Sequence, residues 1–230
     1  MTHAPLIHPL PHPIDLLALQ QHDPARFPLL MESTASGTAQ GRWSLLLAAQ
    51  GEGLRLDADG QVRDQHDAVH SGSFLQVLDR AWQRERLPHD GSHSLPFRGG
   101  WALMLDYEVA SQIEPVLPAR AREDGRPTAL ALRCPAAVLH DHHNDASFVI
   151  AEAGEQALLD ALVALASAAL PEAGQGWQPP QSVGEDAPQR FTDGVRRVIE
   201  YLRAGDVFQV NLSRRWSAQF AAPVSPQALY

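Results

Sequence analysis

The chain has 230 residues, 44% of them hydrophobic, so it can bury a sizeable core and does not read as a disordered polypeptide. Its 27 acidic against 18 basic residues give a formal charge of −9, which argues against the basic face of a nucleic-acid binder or of a protein held on an anionic membrane surface. The one cysteine, Cys134 in the apolar stretch ALRCPAAV, rules out an intrachain disulfide and reads as a buried structural thiol.

No apolar run approaches the roughly 18 residues of a membrane span. The start, MTHAPLIHPLPHPIDLL, lacks a basic region followed by a compact apolar core, so the expectation is a cytoplasmic protein with no secretory signal. Residues 1 to 28, rich in Pro and His, read as an extended lead-in with a short strand at Ile14 to Leu19. The run RWSLLLAA, Arg42 to Ala49, has the length and apolar continuity of a buried strand. LRLDADGQV then spells strand, Asp59-Gly60 turn, strand. Ser73 is placed to cap a helix over FLQVLDRAWQRER, in which Phe74, Val77, Leu78, Ala81 and Trp82 share a face.

Gly99 and Gly100 lead into a strand over residues 97 to 109 and permit a bulge or a close backbone approach. TALALRCPAAVLHD and SFVIAEA form a pair of strands joined by HHND turn chemistry, and EQALLDALVALASAAL reads as an Ala/Leu helix. Residues 171 to 189 are rich in Pro, Gly and Gln without periodicity and read as a linker. Beyond it, Thr192 is the expected N-cap of a helix whose buried stripe is Val195, Val198, Ile199 and Leu202, closed by Gly205. In the next stretch Phe208, Val210 and Leu212 alternate with Gln209, Asn211 and Ser213, the period of a strand. Its polar row suits either the solvated face of an edge strand or the wall of a cavity. Strands first and few helices give an α+β class, largely antiparallel.

Two stretches bear on chemistry. HDHHND, His140 to Asp145, has ligand-type side chains, but neighbours on a strand point to opposite faces, so a solvated turn is favoured over a metal site. In PLLMESTASGTAQGRWSLLLA, Glu32 and Ser33 interrupt an apolar entry and Arg42 and Trp43 open a buried strand. A carboxylate, a hydroxyl, a guanidinium and an indole there suit a small-molecule pocket; a polar loop satisfying its own backbone is the alternative.

Three motifs, in order, resemble the chorismate-utilising family of aminodeoxychorismate synthase component I and anthranilate synthase component I. LLMESTASGTAQGRWS is similar to the family's Leu-Leu-Glu-Ser…Gly-Arg-Tyr-Ser segment, with Met31 inserted and Trp43 for Tyr. LPFRGGWALMLDYEV resembles its Phe-x-Gly-Gly…Gly-Tyr signature, with Asp106 where the later glycine usually stands. GDVFQVNL, residues 205 to 212, is the most specific match, and Asn211 favours the aminodeoxychorismate branch. The resemblance spans about 28 to 216. It implies an anthranilate synthase component I-like fold, a largely antiparallel β-sandwich with flanking helices, truncated. Residues 1–170 would be its N-terminal domain, 171–189 the linker and 190–230 the incomplete start of the chorismate-binding catalytic domain.

The resemblance also implies amination of chorismate to 4-amino-4-deoxychorismate, towards p-aminobenzoate and folate, with ammonia from a separate glutaminase subunit. The family's catalytic lysine and its Mg²⁺-binding glutamates fall beyond Tyr230, so this chain alone is expected to be inactive. What carries over is a tryptophan pocket at Ser33, Gly41, Arg42 and Trp43. The alternatives are anthranilate synthase component I and a non-catalytic amino-acid-binding regulatory module.

Overall fold

The computed structural model describes residues 4–33, 35, 37–87, 93–114, 116–118, 124–168 and 177–229. The chain divides into two units, Met1–Ala173 and Gly174–Tyr230. In the first unit the elements run β1 (Leu6–Pro9), α1 (Leu16–His22), β2 (Leu29–Met31), β3 (Trp43–Ala48), β4 (Gly53–Leu56), β5 (Val62–Asp64), β6 (Val69–His70) and α2 (Phe74–Glu85). They continue with β7 (Gly100–Leu105), a 3-10 turn at Tyr107–Val109, α3 (Ala110–Ile113), β8 (Ala129–Cys134), β9 (Ala136–Asp141), β10 (Ala146–Ala151) and α4 (Gln156–Ala166).

The strands form two five-stranded antiparallel sheets, ordered β1-β10-β9-β3-β2 and β6-β5-β4-β8-β7. Period-two alternation sends Leu46, Ala48, Val138, Val149 and Ala151 to one face of the first sheet, where α1 and α4 pack with Leu16, Leu19, Leu158 and Leu162. The opposite face, Leu47, Ala137, Leu139 and Ile150, meets Ala102 and Cys134 of the second sheet. The second sheet's outer face, with Leu54, Leu56, Ala129 and Ala131, is covered by Phe74, Val77 and Ala81 of α2. The result is a sandwich of two sheets with a helical layer on each side, the α+β architecture expected.

The Ser73 cap is present as a capping box with Gln76, and the Asp59-Gly60 turn joins β4 to β5. Cys134 is fully buried, and burial pushes its thiol up. Two strand readings in this unit are corrected. The strand expected at Ile14 to Leu19 is α1, because the Asp15 side chain accepts from the Ala18 N–H and nucleates a helix. The extended lead-in instead contributes β1, paired with β10. The continuous strand TALALRCPAAVLHD breaks at Pro135, which has no N–H for a ladder, and its halves enter different sheets as β8 and β9.

The second unit holds β11 (Ser182–Glu185), α5 (Pro188–Ala204), β12 (Trp216–Gln219) and α6 (Pro226–Leu229), with β11 and β12 paired antiparallel. Residues 182 to 185 are therefore strand and 188 to 189 helix start rather than linker; 171 to 176 lie outside the described residues. The helix begins at Pro188, whose fixed φ suits a first turn, so Thr192 is interior and donates its hydroxyl to the Gln189 carbonyl. Gly205 takes the left-handed closing position as expected.

Residues 207 to 215 form no strand. Among the described residues, 207 to 214 find no ladder partner, while the Arg215 carbonyl, next to β12, accepts from the Asp186 N–H; Leu212 rests near Gly194 of α5. Gln209, Asn211 and Ser213 are exposed, and the stripe Val195, Ile199 and Leu202 is only part covered. None of the unit's described residues is fully buried.

Candidate functional site

Ser33, Gly41, Arg42 and Trp43 belong to the connection that leaves β2 and enters β3. The register Trp43↔Asp141 sets the start of β3 beside the end of β9, so the β9–β10 turn, residues 142 to 145, lies at the same end of the sheet. The His142 N–H donates to the Arg42 carbonyl at 2.8 Å and ties the two loops. Ser33 Oγ accepts from the Ala35 N–H at 3.3 Å, which curls the chain. Gly41 closes it: its N–H donates to the Thr38 carbonyl and to Thr38 Oγ1. Gly41 is buried so tightly that a Cβ would lie 2.1 Å from the Ala35 carbonyl oxygen.

Arg42 is anchored rather than free. Its Nε and Nη2 donate to the two carboxylate oxygens of Asp141 at 2.9 and 2.6 Å, a bidentate pair. Asp141 is 2% exposed and also accepts from the His143 N–H and the Asn144 amide. The Arg42 guanidinium holds the Asp141 carboxyl well below the usual carboxylate range, against the opposing effect of burial. Beside it, the buried Ser44 hydroxyl shares a 2.7 Å hydrogen bond with His142 Nε2. His140 shares one with the buried Ser147 at 3.1 Å. Burial, with His142 adding, lowers the His140 pKa.

A cavity of about 400 Å³ opens here, lined by Gly37, Thr38, Ala39, Gly41, Arg42, His142 and His143. Gly41 and Arg42 therefore lie on its wall, and Ser33 sits directly behind Gly41. Trp43 does not line it: the indole packs into the core between the sheets, near Phe148 with ring centroids 6.5 Å apart, while the Arg42 guanidinium lies 5.0 Å from the indole's centroid. Glu32 is exposed. His142 and His143, read from sequence only as turn residues, are the wall members that sequence reasoning missed. Their proximity to Arg42 is a product of the β3–β9 register. No group of three or more His, Cys, Asp or Glu side chains able to hold an ion occurs among the described residues.

A substitution separates anchoring from charge. Asp141→Ala removes the bidentate pair and two turn hydrogen bonds, and is expected to lower unfolding free energy by about 2 kcal/mol in urea titrations. Asp141 has a depressed folded-state pKa, so its contribution is complete above the unfolded value near 4 and is lost as pH falls below it. Asp141→Asn is expected to flatten that acid limb of the stability profile.

The family of chorismate binding enzymes matches residues 30–230. The chain is 26% identical to aminodeoxychorismate synthase component 1 of Streptomyces lividans over 201 residues, covering 81% of this chain and 40% of that protein. It is also 26% identical to anthranilate synthase component 1 of Cereibacter sphaeroides over 226 residues, covering 87% and 44%. Among solved structures, anthranilate synthase component I from Streptococcus pneumoniae superposes with a TM-score of 0.61 at 23% identity, over 86% of this chain and 45% of that one. The chain thus spans less than half the length of the relatives it matches, and no helix among the described residues is long and apolar enough to cross a membrane.

Proposed function

We propose, since the chain belongs to the chorismate binding enzyme family, that it forms the N-terminal part of component I of an aminodeoxychorismate synthase, which aminates chorismate to 4-amino-4-deoxychorismate. The observation that carries the reading is the family match across residues 30–230, taken with GDVFQVNL at 205 to 212. Asn211 is what favours this branch over anthranilate synthase, whose component 1 is represented among the relatives at the same identity. Ammonia would come from a glutaminase subunit. Mg²⁺ and the nucleophilic lysine would act from parts of the longer protein outside this sequence, so residues 1–230 alone would not turn over chorismate.

On the same reading, the corner at Ser33, Gly41 and Arg42 is a tryptophan pocket. Gly41, held by Thr38, sets the shape of the cavity wall. Arg42, with three of its five N–H donors outside the Asp141 pair, can meet a carboxylate. Consumption of chorismate by the longest polypeptide carrying this sequence tests the enzyme class. The reading expects ammonium-dependent loss of chorismate, and tryptophan binding weakened several-fold by Ser33→Ala. A non-catalytic regulatory module would leave chorismate untouched and bind tryptophan tightly on residues 1–230 alone.

A further inference from the structure

A larger cavity, about 480 Å³, lies away from the Arg42 corner, between the C-terminal end of α2 and the start of β7. Its walls include Trp82, Arg86, Trp101 and Arg133. A second, apolar groove of about 290 Å³ shares both tryptophans and adds Leu75, Leu78 and Leu103. The tryptophan pair therefore separates a charged chamber from a greasy one. That volume and composition suit a small molecule with a flat apolar body and one polar end.

Charge decides which polar end. Glu85 and Glu152 also face the larger cavity, but both accept hydrogen bonds from Arg133, at 2.8 and 2.5 Å, and Glu85 accepts another from Arg84. The two carboxylates are thus offset by Arg133 and Arg84. Arg86 makes no ion pair among the described residues; its guanidinium lies 5.4 Å from the centroid of the Trp82 ring. Arg98 lines the same wall, and with Arg86 and Arg133 it makes the wall one that can receive an anion. The Arg133 guanidinium, 5.9 Å from the Trp101 centroid, has used three of its five N–H donors, on Glu85, Gly100 and Glu152.

The geometry points to a second small-molecule site here, for a planar aromatic carboxylate whose ring lies against Trp82 and Trp101 and whose carboxylate meets Arg86. The site shares no residue with the Arg42 corner and stands or falls independently of the proposed reaction.

Calorimetric titration of 2-naphthoate into the 230-residue chain tests it, with 2-naphthalenemethanol as the uncharged counterpart. Trp82 and Arg86 are both exposed, so their truncation spares the core. The expected result is one saturable site, weakened about fivefold or more by Arg86→Ala, by Trp82→Ala and by the loss of ligand charge, and unchanged by Ser33→Ala. Absence of saturable binding at millimolar 2-naphthoate would overturn the site, as would binding indifferent to Arg86→Ala and Trp82→Ala.

Discussion

Replacing Arg133 by methionine is expected to lower the chain's unfolding free energy by about 3–5 kcal/mol, read as a shift of the urea midpoint. Arg133 is 7% exposed and stands at the end of β8, just before Pro135 carries the chain into the other sheet. From there it donates to Glu85 at the end of α2, to the Gly100 carbonyl at the start of β7, and to Glu152 just after β10. One side chain thereby ties a helix and both sheets. Burial alone pushes Glu152 up and opposes its charge; with Arg133 removed, that carboxylate loses its partner. The cost comes from stranded charge, so adding Glu152→Gln to Arg133→Met should recover part of the loss. A loss under about 1 kcal/mol would show that water reaches the carboxylates and that the triad does not brace the sandwich.

Gly99→Ala is expected to cost about 3 kcal/mol, and it acts through the same carboxylate. Gly99 has φ +103°, a conformation that side chains resist. A Cβ there would also fall 1.7 Å from Glu152 Oε1. A free glutamate would swing away at little cost, but this one is held by Arg133. The strain should therefore fall when Glu152 is shortened: Gly99→Ala with Glu152→Ala should be less destabilised than the sum of the single changes. Strict additivity would place the whole cost in the backbone and deny the close approach.

Elements whose signal is local were legible in the sequence. The apolar run of β3, the Asp59-Gly60 turn and the Ser73 capping box each depend on residues within a few positions, and each is where the sequence puts it. The strand reading of 207 to 215 had the right alternation, yet alternation describes side chains, while a strand requires a hydrogen-bonded neighbour. Pro135 was visible, but that its two flanks serve different sheets depends on pairings with β4, β7, β3 and β10.

The site divides along the same line. Gly41 and Arg42 could be picked out from the motif, because the motif is contiguous. Asp141, 99 residues from Arg42, and His142 enter only through the β3–β9 register. Trp43 reads as a pocket wall, yet period two turns it away from the neighbouring cavity-facing residues and into the core. Arg133 gives no sequence signal at all, since its partners stand 48 and 19 positions away.

Product identification tests the functional reading most directly. The longest polypeptide carrying this sequence is incubated with chorismate, ammonium and Mg²⁺, and the products are separated and identified by mass. The predicted product is 4-amino-4-deoxychorismate, with none formed by residues 1–230 alone. Anthranilate as the product, or chorismate recovered unchanged from the longer polypeptide, would contradict it.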